Sequence, residues 1–408
     1  MSELYELPEG WEWKKLTEVV KIGCDKGFKP IISDGKVPFI GMTDIDEDKG
    51  RNSKYVLEDY EKVSKGKTKF QKNAVLVGKI TPCTQNNKTT IVPSDIDGGF
   101  ATTEVYALHT MDNMTPLYLN YFIRSNKINE YLVSTMIGAT GRQRVPSDTI
   151  KNLDIPLPPL SEQQRIVSKL DLLFEKIDKS IALHQKNMDE ANVFMGSVLN
   201  DVFGELDTNE TIELKYITSK IGSGSTPKGG QKAYKTEGIS LIRSMNVHDN
   251  GFRIKGLAFI DDEQANKLNN LTIKENDILL NITGASVARC CIVDKNYLPA
   301  RVNQHVSIIR LDDRFIPQFL HYYLISPSIK SDLLFSSSGG ATREAITKSM
   351  LEEFKVPKIS IITQQKVVKY LDEISKKIEK IKQAQKAKMN SLKALKASIL
   401  DQAFKGEL

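Results

Sequence analysis

The chain has 408 residues, 40% hydrophobic and 26% charged, with 57 Lys+Arg against 51 Asp+Glu and a formal net charge of +6. This balance excludes a collagenous or low-complexity chain, and the length suffices for two to four domains. The mild basic bias allows an anionic partner such as DNA without demanding one.

No segment approaches the roughly 18 apolar residues that cross a bilayer. The N-terminal MSELYELPEGWEWKK has no basic-then-apolar signal pattern. A cytoplasmic protein without membrane association is expected. Cys24 and Cys83 are isolated and Cys290 and Cys291 are adjacent, with no CxxC or CxxxH spacing. The thiols read as reduced and partly buried, with no metal site.

In chain order, the first globular segment (1–154) holds short β-rich runs such as 74–77 and 105–108 among Gly, Asn and Asp turns. A helical stretch, 117–124, follows Pro116. Prolines 156, 158 and 159 then hold the chain extended, and Ser161 is placed to cap a long helix within 155–206. Its apolar seam runs through Ile166, Leu170, Leu173, Ile177, Ile181, His184, Met188, Ala191, Met195, Val198 and Val202. Steps of three and four alternate, the heptad pattern of a coiled coil. The second globular segment (207–355) repeats the scheme, with β-rich runs at 278–282 and 306–311 and a helical stretch at 318–325 after Pro317. A second long helix (356–408), with Pro357 and Thr363 at its entrance, carries Val367, Leu371, Ile374, Ile378, Ile381, Gln385, Met389, Leu392, Leu395, Ile399 and Ala403. From Lys376 to Lys405 it bears nine lysines against Glu379 and Asp401, which suits a solvated face as well as an anionic partner. Both helices exit through a phenylalanine and a glycine-containing stop, at Phe203-Gly204 and Phe404-Lys405-Gly406.

The two halves are copies. IPLPPLSEQQRIVSKLDLLFEKIDKS (155–180) matches VPKISIITQQKVVKYLDEISKKIEKI (356–381) at a constant offset of 201, from Pro156 to Pro357. The globular parts correspond more faintly. VPFIGMTDID parallels ISLIRSMNVH, QKNAVLVGKIT ending at Thr81 parallels IKENDILLNIT ending at Thr283, and MIGATGRQRV parallels SSGGATREAI. The expected architecture is α+β: two mixed α/β domains joined by two long antiparallel coiled-coil helices, a pseudo-two-fold dumbbell.

A search for chemistry returns little. The loop GSGSTPKGG (222–230) misplaces the lysine of a P-loop. No DPPY-like or NPPY-like tetrapeptide marks an adenine methyltransferase. ExK occurs at Glu12-Trp13-Lys14 and Glu213-Leu214-Lys215, both at the very start of their halves, with almost no chain before Glu12 to place the acidic residue a nuclease needs. Histidines 109, 184, 248, 305 and 321 form no HxxxH-type cluster. No catalytic or metal-ligating residue is expected.

GWEWKKLTEVVKIG near the start, IPLPPLSEQQRIVSKLD at the first helix and the second-half copy resemble the specificity subunit of type I restriction–modification enzymes. The second copy departs from the pattern at Ile359, Ser360 and Thr363. The resemblance implies a non-catalytic DNA-recognition subunit. Each globular segment is then a target-recognition domain for one half of an asymmetric bipartite site in double-stranded DNA. The helices set the spacing and dock two modification subunits, which carry S-adenosylmethionine and methylate adenine N6. Restriction subunits using ATP and Mg²⁺ complete the complex, and this chain holds no cofactor itself. Expected DNA contacts are Lys26, Lys29, Lys79, Arg142 and Arg144 in the first domain, and Lys228, Lys232, Arg243, Arg289, Arg301 and Arg343 in the second. Gly138, Gly141, Gly339 and Gly340 are candidates for close backbone approach. The competing interpretations are a coiled-coil scaffold carrying two protein- or RNA-binding domains, and a self-contained DNA enzyme.

A spacer role makes a prediction. One heptad added to both helices lengthens the rod by about 10 Å at 1.5 Å per residue, so the gap between half-sites grows by about three base pairs. Methylation mapping of the lengthened chain checks it; an unchanged gap in an active variant contradicts a ruler.

Overall fold

The structure is a computed structural model that describes residues 5–47, 50–51, 54–206, 210–227, 229–337 and 345–408. The chain divides into two compact units, 1–184 with 386–408, and 185–385. Each unit contains one globular domain, the start of one long helix and the end of the other, because both helical segments pack on that domain's core.

In the first unit, β2 (Val20–Ile22), β9 (Val105–Thr110), β6 (Val75–Gly78) and β7 (Thr89–Ile91) form one four-stranded sheet in the order 2-9-6-7. A second sheet has the order 4-3-8-5, from β4 (Val56–Asp59), β3 (Lys36–Ile40), β8 (Gly98–Ala101) and β5 (Thr68–Gln71). Strand alternation divides β6 between two cores. Val75 and Val77 face the helices, among them α1 (Pro116–Arg124), while Leu76 faces the second sheet with Ile40 and Phe70. The second unit repeats this. Its sheet orders β12 (Thr218–Ser223), β20 (Val306–Leu311), β17 (Ile278–Asn281) and β18 (Cys290–Ile292), beside a three-stranded sheet of β16 (Ala258–Ile260), β13 (Ile239–Ile242) and β19 (Ala300–Val302). Ile278 and Leu280 face the helical core and Leu279 the sheet core.

A short antiparallel pair leads into each long helix. In the first unit β1 (Glu12–Lys15) pairs β10 (Asp154–Leu157), and in the second β11 (Thr211–Glu213) pairs β21 (Lys355–Pro357). The long helices are α2 (Leu160–Glu205) and, after α3 (Pro317–Ile325), α4 (Ile361–Lys405). Ser161 lies inside the first turn, not at its cap, because the backbone N–H groups of Glu162 and Gln163 bond the carbonyl of Pro159. In the second copy the cap is Ser360, whose hydroxyl accepts the Thr363 N–H at 3.2 Å, so Thr363 is not the cap.

One glutamine per unit ties the helix start to the preceding loop. Gln163 is fully buried; its amide accepts the Thr115 N–H at 2.9 Å and donates to the carbonyls of Asn113 and Pro158 at 2.9 and 3.0 Å. Gln364, equally buried, accepts the Ile316 N–H at 2.8 Å and donates to Arg314 and Ile359 at 3.1 and 3.2 Å. Every partner is displaced by the same 201 residues, as Thr115 is to Ile316. About two turns on, the Tyr121 hydroxyl donates to Asp171, and Tyr322 donates to Asp372 at 2.7 Å. The helices end alike: Phe404 meets Tyr118 and Phe122 edge-on at 5.2 and 5.4 Å, and Phe203 meets Phe319 and Tyr323 at 5.6 and 5.2 Å.

Within each unit the helical segments run antiparallel. Arg165 reaches the Leu408 carbonyl and Asp178 the ammonium of Lys396 at 2.8 Å. In the second unit Asn192 accepts from Lys382 at 3.0 Å. Ile166, Leu170, Ile177, Leu371 and Ile378 are buried, and Leu173, Val367 and Ile374 are partly buried against the cores. Two expected seam residues are corrected: Ile381 and Leu395 are 48% and 49% exposed. The stems of Lys382 and Lys396 lie there instead, with side chains only 21% and 25% exposed, a snorkelling arrangement that leaves each ammonium on a polar partner.

Replacing Gln163 by Leu leaves one buried N–H and two carbonyls unpaired, so a loss of about 1–3 kcal/mol is expected. Leu170→Ala should cost about 2–5 kcal/mol as a cavity. Urea unfolding of the two variants checks both magnitudes.

Candidate nucleic-acid interface

The C-terminal end of β6, the N-terminal end of β9 and the segment 143–145 meet at one end of the first unit's sheet. The Lys79 N–H bonds the Glu104 carbonyl at 3.0 Å, and the Val145 N–H bonds the Lys79 carbonyl at 2.8 Å. Three charged side chains converge there. Arg144 pairs with Glu104 at 2.7 Å, and the Lys79 ammonium lies 4.8 Å from the Tyr106 ring centroid. Burial, with Arg144 beside it, holds Lys79 below the ordinary lysine range. The Arg144–Glu104 pair is mostly exposed and contributes about 0–1 kcal/mol to stability. Its consequence is orientation: one guanidinium nitrogen is fixed while the side chain remains 55% exposed.

Arg142 is exposed on the adjacent turn, where the Ile137 and Arg144 backbones bond each other at 3.0 and 2.8 Å. Gly138 has φ +127, and a Cβ there would meet the Arg142 carbonyl at 2.8 Å, so close approach within the turn explains this glycine. Gly141 also has positive φ (+80). Lys26 and Lys29 are exposed elsewhere, on a loop held to the β5 flank by Asp25–Gln71 and Lys69–Phe28 hydrogen bonds.

The second unit builds the same end from the same backbone bonds. The Ile282 N–H bonds the His305 carbonyl at 3.0 Å, and the Ile346 N–H bonds the Ile282 carbonyl at 2.8 Å. Among the described residues, its side chains are Ile282, Thr283, Gln304, His305 and Ala345. The Thr283 hydroxyl meets His305 Nδ1 at 2.6 Å, and the Gln304 amide meets His305 Nε2 at 3.2 Å. Thr226 bonds Gln304 in turn. Behind them Asn281 is fully buried and donates to the Ser244 carbonyl and the Ser286 hydroxyl at 3.0 and 3.1 Å. Gly224 passes so close that a Cβ would lie 1.7 Å from the Val302 carbonyl. Backbone packing therefore requires this glycine of the GSGSTPKGG loop.

The remaining expected contacts separate. Lys232 is exposed and Arg289 half-buried. Arg243 donates to the Gly256 carbonyl and stacks 5.2 Å from the Tyr234 ring centroid. Lys228, Arg343, Gly339 and Gly340 lie outside the described residues. Arg301 is corrected: it is 6% exposed, and its guanidinium bonds the carbonyls of Ala265 and Ala300 at 3.2 and 3.1 Å and Asn269 at 2.8 Å. It is an internal brace without a surface to offer DNA. Glu104, Thr283, Gln304 and His305 belong to no sequence motif, and strand pairing is what brings them to this end. The signal was the repeat itself, aligned by strand pairing rather than by residue identity.

Among the described residues no three His, Cys, Asp or Glu side chains converge as a metal site. No described helix is long and apolar enough to cross a membrane. Cys83, Cys290 and Cys291 are buried free thiols, and burial pushes Cys291 up to about 12. Glu12 and Glu213 of the two ExK triplets each pair with the lysine of the same triplet.

Arg301→Ala should lower stability by about 1–3 kcal/mol by leaving buried acceptors unpaired, and should not alter the bases recognised. Thermal unfolding together with motif mapping checks this, and a changed motif would return Arg301 to the interface.

The model of the type I restriction modification DNA specificity domain matches residues 8–190 and again 207–390. The EcoAI specificity subunit of Escherichia coli is 30% identical over 219 residues, covering 51% of this chain and 35% of that protein. The EcoEI subunit of the same organism is 32% identical, covering 45% and 32%. These matches thus span about a third of each relative. A putative MjaX specificity subunit of Methanocaldococcus jannaschii is 24% identical, over 96% of this chain and 94% of its own. Among solved structures, a chain from a study of complex assembly in the type I R-M system superposes with a TM-score of 0.75, at 23% identity and covering 99% and 100% of the two chains. The HsdS subunit of Thermoanaerobacter tengcongensis gives 0.52 at 22% identity, with 99% of each chain covered. With its domain model matched once in each half, the chain belongs to the family of type I restriction modification DNA specificity domains and carries that domain twice.

Proposed function

We propose that this chain is the sequence-recognition subunit of a type I restriction–modification complex. Each unit's globular domain binds one half of an asymmetric bipartite site in double-stranded DNA. The observation that carries this is the contrast within the repeat. The anchoring of the long helices is the same in both units, down to Gln163 and Gln364, Tyr121 and Tyr322, and Asp171 and Asp372. The described side chains at the sheet ends differ in type, Lys79, Glu104 and Arg144 in one unit against Ile282, His305 and Ala345 in the other. A protein that does one mechanical job twice and makes two different contacts fits a reader of two unlike half-sites.

The proposal extends to partners. Two modification subunits dock on the helical segments, bring S-adenosylmethionine and methylate adenine N6. Restriction subunits bring ATP and Mg²⁺ chemistry. This chain recognises and does not catalyse, and the complex acts in the cytoplasm. The scaffold alternative explains two domains and two helices, but it gives no reason for the family match in both halves.

Single-molecule methylation mapping in cells carrying this chain and its modification subunit tests the proposal. The expected result is an asymmetric bipartite motif with methyladenine in each half. No motif, with both subunits folded and associated, contradicts it.

A further inference from the structure

We infer that the sheet end shared by the two units is the base-reading edge of each domain, and that the two edges read half-sites of opposite chemistry. This rests on the recognition role proposed above and says which residues perform it.

The backbone bonds put the two ends in register. Lys79 corresponds to Ile282 and Glu104 to His305, because each pair is joined by the same N–H to carbonyl bond at 3.0 Å. Arg144 corresponds to Ala345 and Ile80 to Thr283, because each pair forms the same antiparallel bridge. The turn after β3 and β13 also repeats: the Gly41 N–H is held by Asp44 at 2.8 Å, and the Arg243 N–H by Asn246 at 3.1 Å. At one backbone geometry, then, lysine becomes isoleucine, glutamate becomes histidine and arginine becomes alanine. Positions that hold the helices keep their chemistry between copies, while among the described residues at this end Lys79, Glu104 and Arg144 give way to Ile282, His305 and Ala345. Packing does not require the exchange. Arg144 is 55% exposed at its side chain, and Gln304 is exposed.

Each edge has a definite donor and acceptor character. In the first unit, Glu104 holds one Arg144 nitrogen while the Arg144 side chain stays 55% exposed, with Arg142 exposed on the adjacent turn. A guanidinium fork matches the O6 and N7 acceptors of guanine in the major groove. In the second unit, Gln304 is held on both sides, by Thr226 and His305, so its amide is pre-oriented. A glutamine amide matches the N6 donor and N7 acceptor of adenine. The half-site read by the first domain should therefore contain a guanine contacted by Arg144. The half-site read by the second should contain an adenine, other than the methylated base, contacted by Gln304.

The test maps methyladenine motifs for the complete chain, co-expressed with its modification subunit, as wild type, Arg144→Ala, Arg144→Lys and Gln304→Ala. Arg144→Ala should lose about 5- to 150-fold discrimination at one guanine in one half of the motif, the range for a good bidentate contact. The other half should stay sharp, which reports correct folding and assembly in the same molecule. Gln304→Ala should relax one adenine in the opposite half. Should the alanine variant of Arg144 fail to fold, Arg144→Lys keeps the charge, loses the fork and should relax the same position. An unchanged motif in a folded variant overturns the inference. So does equal blurring of both halves, or a wild-type motif without guanine in the half that responds to position 144. A wild-type chain that yields no bipartite motif overturns the recognition role itself, and the inference falls with it.

Discussion

A glutamine with no exposed surface, used once in each half, is the constraint on which the structure depends. Gln163 and Gln364 satisfy one N–H and two carbonyls apiece, at the point where the chain passes from strand pair to helix. A buried amide that finds all its partners specifies one entry angle, because any other leaves polar groups unpaired at about 1–3 kcal/mol each. The tyrosine–aspartate bond about two turns later and the terminal phenylalanine then hold the helical segments on the domain core. With the helices fixed in the same way twice, the sheet ends are free to vary.

That division of labour explains the uneven repeat. Residues 155–180 and 356–381 align without a gap, since hydrogen-bond partners and heptad spacing tolerate little change. The globular parts align faintly because each strand preserves only an alternation of apolar side chains, which many sequences satisfy. The loops at the sheet end preserve only backbone bonds. Side chains there change class, from Arg144 bridged to Ile80 and paired with Glu104 to Ala345 bridged to Thr283, without altering the scaffold.

Much of the architecture was legible before any coordinates. The heptad pattern gave both long helices, and Pro116 and Pro317 marked the helices that open at those residues. What was not legible follows from what sequence leaves out. Lys382 and Lys396 were passed over on the helical seam because lysine counts as polar, although its aliphatic stem is the part that packs. Arg301 was counted as a DNA contact because its type says nothing of burial; in the fold three acceptors already surround it. Glu104 and His305 were overlooked because they draw meaning from strands brought beside them. Matching KIT to NIT by identity aligns Thr81 with Thr283, whereas the β-bridges align Ile80 with Thr283, a shift of one residue that changes which side chains correspond.

The central claim is that each globular domain carries its own half of the recognition. Its most direct test is a chain in which a second copy of residues 1–154 replaces 207–355, with both helices retained, followed by methylation mapping beside the modification subunit. The account predicts that the asymmetric motif becomes a symmetric one, the first half-site repeated in inverted orientation. Retention of the original asymmetric motif by a folded, assembled variant would contradict it.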